Sequence, residues 1–216
     1  MNKVLVDVDV QRDFCEPSGA LYVPSSPNDV FRALVARAVE RGIPILGSVD
    51  SHAWDAWEFG SSEAHGPDGE RPGFPDHCVK GTPGWLKVEG TLPRRFRFLP
   101  NVPDAPFVHV VDEVLRGQTE GVYFEKEVYS MFANPLAERF LRALVARMEA
   151  PPTFFVFGVA TDYCVRAAAL GLAERGHRTA LVTDAIAGIT PEGTARALEE
   201  MKAAGVRLTK AEEVVS

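Results

Sequence analysis

Cys164, Asp9 and Lys126 are the residues best suited by type and place to covalent chemistry. Cys164 lies in FFVFGVATDYCVRAAALGLAERG, where an apolar run passes through a glycine-containing turn into a helical run, so the thiol is predicted in the first helical turn. Unpaired N–H groups and the positive dipole end there lower a thiol pKa and can bind an oxyanion. Asp9 ends the first apolar run and can carry protons. Lys126 ends VYFEK, and its ammonium would stabilise a neighbouring thiolate. A Cys/His/Asn arrangement would instead need His52, His65, His77, His109 or His177 beside Cys164, and only His52 and His109 stand near a predicted strand end.

A second constellation suits a metal. Asp50 and His52 are two residues apart in an extended segment, and His77 follows in FPDHCVKGTPG. One carboxylate and two imidazoles are a donor set for Zn²⁺, Mn²⁺ or Fe²⁺, with zinc the first choice. Glu58 and His65 lie between them and could join or substitute. Phe14 and Phe74 sit within a few positions of these residues and could sandwich a flat substrate. Neither Cys15 nor Cys78 follows a strand into a predicted helix start, and both read as turn or packing residues. Each residue alone has an ordinary structural reading, as a cap, a solvated charge or a buried thiol; their convergence on one rim favours chemistry.

The rim requires a sheet. Short β-rich runs alternate with helical segments, the pattern of βαβ units around a buried, mostly parallel sheet in a three-layer α/β fold. Strands are predicted at Val4–Val10, Ile45–Val49, Phe107–Val111, Val122–Lys126, Thr153–Val159, Thr179–Thr183 and Val206–Leu208. Helices are predicted from Asn28 or Asp29, as cap, to Arg41, and over Pro135–Met148, Tyr163–Arg175 and Pro191–Ala204. Between Asp50 and Pro106 the sequence is rich in Pro, Gly and Trp and shows little period. In such sheets ligands bind at the carboxyl ends of strands, where Asp9, Asp50 with His52 just beyond, Lys126 and Cys164 fall.

Length and charge narrow the partners. The 216 residues are 46% hydrophobic and contain no linker-like tract, so one domain over 1–216 is expected. A net charge of −7 speaks against a broad footprint for nucleic acid or a membrane surface and favours a small-molecule partner. Asp7 and Asp9 interrupt the first apolar run before it could serve as a signal core, and three cysteines are an odd number, so a cytoplasmic protein with free thiols is expected. Subunit packing is common in such folds, leaving a homo-oligomer open.

In order, VDVDVQRDF, SVDSH, FPDHCVKGTPG and GVATDYCVRAAALGLAERG resemble the signatures of the isochorismatase-like cysteine hydrolases and, among them, the nicotinamidases. The resemblance implies Asp9, Lys126 and Cys164 as a catalytic triad, with Asp50, His52 and His77 as metal ligands and Glu58 as a fourth contact. It also implies a cis Val159–Ala160 peptide, an oxyanion hole from the backbone N–H groups of Ala160 and Cys164, and a pyridine site at Phe14 and Phe74. The implied reaction is hydrolysis of a small carboxamide, nicotinamide first, through a cysteinyl thioester. Hydrolases of N-carbamoyl compounds, biuret or ureidoacrylate share the triad and are the first rival reading; a non-catalytic binding protein on the same fold is the second.

Overall fold

The computed structural model describes residues 3–66 and 69–215. Its centre is a seven-stranded sheet, parallel throughout: β1 (Lys3–Val8), β2 (Ile45–Asp50), β3 (Phe96–Leu99), β4 (Gly121–Lys126), β5 (Thr153–Val159), β6 (Arg178–Ala187) and β7 (Arg207–Thr209), in the order β3-β4-β2-β1-β5-β6-β7. β1 is central, and the chain winds away from it in both directions. Parallel strands buried on both faces need near-continuous apolar sequence, which β1, β4 and β5 supply.

Helices cover the two faces. Alternate β1 residues Val4, Val6 and Val8 join a cluster with α3 (Val108–Leu115), α4 (Ala137–Val145), α5 (Arg166–Glu174) and α6 (Pro191–Ala203). Leu5, Ile45, Tyr123 and Phe155 point the other way, toward α2 (Asn28–Glu40) and α7 (Ala211–Val215). The predicted α2 stripe of Phe31, Leu34, Val35 and Ala38 is buried, with Val39 partly so, and Gly42 follows the helix at φ 63°.

Several expected boundaries change. Phe107–Val111 is not a strand: α3 buries Val110, Val111 and Val114 as one helical stripe, and the β-branched composition misleads there. β1 ends at Val8, and Asp9 turns out of it at φ 50°. Neither Asn28 nor Asp29 caps α2; Pro27 occupies that position, and the Asn28 amide donates to the Cys15 carbonyl. The irregular stretch before Pro106 holds β3, an edge strand too short and too cationic to stand out. α1 (Arg12–Cys15) places Cys15 in a short helix rather than a turn. β6 runs four residues past Thr183, with a register irregularity against β5. Among the described residues, no helix is long and apolar enough to cross a membrane.

Candidate active site

Four adjacent strands deliver the candidate residues to one edge. Asp9 follows β1, Asp50 and Lys126 are register partners at the ends of β2 and β4, and Cys164 lies in the π turn Thr161–Val165 between β5 and α5. The connections that leave neighbouring β1 and β5 run to opposite faces of the sheet, α2 on one and α5 on the other, which opens a crevice at the carboxyl ends. Gly158 brings β5 close: its φ is 123°, and a Cβ there would stand 2.0 Å from the Val8 carbonyl oxygen. The Val159–Ala160 peptide is cis, and Ala160 borders the same pocket as Cys164.

The Lys126 ammonium, fully buried, is the hub. Its Nζ lies 2.8 Å from Asp9 Oδ2, pairs with Asp50 Oδ1, and stands 3.7 Å from Cys164 Sγ. Ser48 Oγ donates to the other Asp9 oxygen at 2.7 Å. Burial pushes the Asp9 carboxyl up despite Lys126, with Asp50 adding to the rise. Between the same two charges Asp50 stays well below the ordinary carboxylate range, because Lys126 and His52 outweigh its burial.

The thiol differs from the sequence expectation. Burial drives Cys164 well above its ordinary value; Lys126 opposes this, while Asp9 and Asp50 reinforce it. Burial thus works against the lowering that a helix N-terminus and a neighbouring ammonium supply. Lys126, shared between two carboxylates, does not outweigh that burial.

Asp50 also faces outward. Its Oδ2 lies 3.7 Å from His52 Nε2 and 3.9 Å from His77 Nε2, while Glu58 Oε1 lies 3.1 and 3.2 Å from the same nitrogens. Donor atoms of Asp50, His52 and His77 fall within 4.8 Å of one another. His77 Nδ1 is 2.8 Å from the Pro75 carbonyl, which places the proton on Nδ1 and leaves the Nε2 lone pair facing the cluster. Both His52 ring nitrogens are buried without an aligned hydrogen-bond partner. Burial disfavours the His52 cation, but Asp50 and Glu58 overcome this and hold it up at about 9. Asp9 and Asp50 thus share one ammonium, while Asp50 and Glu58 crowd the Nε2 atoms of His52 and His77, a surplus of buried negative charge that a cation would offset. This donor set fits a divalent ion.

His65 is exposed and outside this group; His109 is exposed on α3, and His177 packs on Phe154 at 5.0 Å. The thiol pocket is walled by Phe14, Phe74, Tyr129, Tyr163, Leu21 and Ile189, with Asp50, Glu58 and His77 at its floor. Phe14 and Phe74 meet the His77 ring at centroid distances of 5.3 and 6.1 Å, and Tyr129 meets Tyr163 at 5.3 Å. Cys15 and Cys78 are buried, free and held well up by burial, Cys15 at about 12.

Residues that spacing did not single out hold this arrangement. The Gln11 amide donates to the Asp50 and Trp85 carbonyls, both at 2.9 Å, and its oxygen accepts from the Asp50 N–H at 2.8 Å. Asp13 accepts from the Cys78 N–H at 2.7 Å and the Ala20 N–H at 3.1 Å, fixing the turn that carries His77. Both lie inside VDVDVQRDF, the signal that could have found them. Tyr129, Tyr163, Leu21 and Ile189 come from separate segments, which only folding unites.

Residues 3–213 match the isochorismatase domain family. A nicotinamidase/pyrazinamidase of Mycobacterium tuberculosis is 29% identical over 213 residues, covering 95% of this chain and 97% of the relative. The nicotinamidase of Escherichia coli is 29% identical over 220 residues, covering 95% and 93%. Among solved structures, a pyrazinamidase of Pyrococcus horikoshii in complex with zinc superposes with a TM-score of 0.71 at 29% identity, covering 97% of this chain and 99% of that one.

Proposed function

The chain belongs to the isochorismatase family, and from that premise we propose that it is an amidohydrolase converting nicotinamide to nicotinate and ammonia through a cysteinyl thioester. The observation that carries the reading is the convergence of Cys164, Lys126 and Asp9 in an aromatic-walled pocket beside the Asp50, His52 and His77 cluster. The similar nicotinamidases support the substrate.

In this reading Asp9 accepts the Cys164 thiol proton as Sγ attacks the carboxamide carbon, and Lys126 holds the charges of both in place. The backbone N–H groups of Ala160 and Cys164 are assigned to the tetrahedral oxyanion. Asp9 returns the proton to the departing nitrogen, ammonia leaves, and the acyl group stays on sulfur. A water then gives its proton to Asp9 and attacks the thioester, and nicotinate departs with the thiol restored. Phe14 and Phe74 hold the ring. Asp50, His52 and His77, with Glu58 as a further carboxylate, would hold a divalent ion, zinc first, whose charge would orient the pyridine nitrogen.

An ammonia-release assay across nicotinamide, biuret, N-carbamoyl amino acids and ureidoacrylate tests the reading. Nicotinamide is expected to turn over fastest, and Cys164→Ala to lose turnover while remaining folded. Preference for a carbamoyl substrate would reassign the substrate, and substantial turnover by a clean Cys164→Ala preparation would refute the mechanism.

A further inference from the structure

A second buried ion pair lies on the α2-facing side of the sheet and takes no part in the chemistry above. Lys87 Nζ donates to Asp7 Oδ1 at 2.9 Å, with side chains 2% and 0% exposed, and the ammonium stands 4.7 Å over the Tyr123 ring. Gly47 makes room for that ring, since a Cβ there would lie 3.1 Å from it and 2.1 Å from the Asp7 carbonyl oxygen. Neither Asp7 nor Lys87 lines the thiol pocket. A buried pair of this kind is a poor stabiliser, because apolar residues of similar volume often serve as well or better. What it supplies instead is register, since an N–H···O contact is fixed in distance and direction while an apolar contact can slide.

The register it fixes is that of the Pro83–Thr91 segment. Lys87 bridges antiparallel to Gln11, with Arg12 N–H donating to the Leu86 carbonyl at 2.9 Å and Val88 N–H to the Val10 carbonyl at 3.1 Å. One residue before Leu86, the Trp85 carbonyl accepts from the same Gln11 amide that clasps Asp50, and the Trp85 indole donates to Ser51 Oγ at 2.7 Å. Asp50 in turn pairs with Lys126 and faces both imidazoles. A slip of this segment would therefore turn the Gln11 amide and, with it, the Asp50 backbone from which the carboxylate projects.

We propose that Asp7 and Lys87 are positioning residues: their ion pair sets the register of the Pro83–Thr91 segment so that Gln11 holds Asp50 aimed at once toward Lys126 and toward His52 and His77. As a statement about catalysis this rests on the amidohydrolase reading, but its geometric part does not. The test is the paired variant Asp7→Val with Lys87→Met, which leaves no unpaired buried charge and so keeps the fold. Hydrogen exchange at the Asp50 amide reads the Gln11 clasp directly, because that N–H donates to Gln11 Oε1. The expected result is a thermal midpoint near wild type and exchange at Asp50, Arg12 and Val88 faster by about tenfold or more, with β5 amides unmoved. For nicotinamide, kcat should fall roughly 10- to 100-fold with KM changed less than about threefold. A folded variant with wild-type kcat and wild-type Asp50 protection overturns the proposal. So does uniform loss of protection with a lowered midpoint, or failure to fold, either of which makes the pair a stability element. If the wild-type protein leaves nicotinamide intact, the amidase reading fails, and the exchange comparison still decides the positioning role.

Discussion

Replacing Lys126 by methionine removes a charge while keeping most of the side-chain volume, so its consequences are mainly electrostatic. At 3.7 Å and an effective dielectric of about 20, the ammonium stabilises a Cys164 thiolate by about 4 kcal/mol, or roughly three powers of ten in thiolate population. Part of this is offset, because Asp9 and Asp50, left without their shared cation, take up a proton between them and so repel the thiolate less. The net expectation is a fall of between about tenfold and about a thousandfold in the rate of Cys164 alkylation by iodoacetamide near neutral pH. The rate is measured by peptide mass spectrometry on metal-free protein in a Cys15→Ala, Cys78→Ala background, so that only Cys164 reports, with circular dichroism as the control for folding. Wild-type rates with an unchanged pH profile in a folded Lys126→Met protein would refute the electrostatic role of the ammonium.

In the metal-free wild-type protein, the Cys164 value lies well above the usual thiol range, so alkylation should climb about tenfold per pH unit from pH 6 to 9 without a plateau; a plateau below pH 8 would show a preformed thiolate. Asp50→Ala, His52→Ala and His77→Ala should each lower bound zinc in elemental analysis, whereas exposed His65→Ala should not; full zinc in the first three would dismantle the ligand set. Gly158→Ala forces a side chain into the left-handed region and onto the Val8 carbonyl, so chemical denaturation should show a loss of about 3 kcal/mol or more; a loss below about 1 kcal/mol would mean that β5 shifts freely.

The sequence alone singled out the candidate residues and the strand ends that carry them, because both signals are local. A thiol after an apolar run, an Asp-x-His after another and a lysine closing a third need only neighbouring residues to be read, and α2 is legible from its own period. Short or edge elements were not legible: α3 carries valines that suit a strand, and β3 has only four residues, too few for its alternation to stand out. What tertiary structure decided is how these groups act on one another. That Lys126 divides its charge between Asp9 and Asp50, that burial pushes the thiol up, that His77 rather than His65 meets His52, that Gln11 clasps Asp50 and that Lys87 pairs with Asp7 all depend on distances between segments far apart in the chain. Coulombic and desolvation energies vary with separation and burial, which a list of residues does not contain.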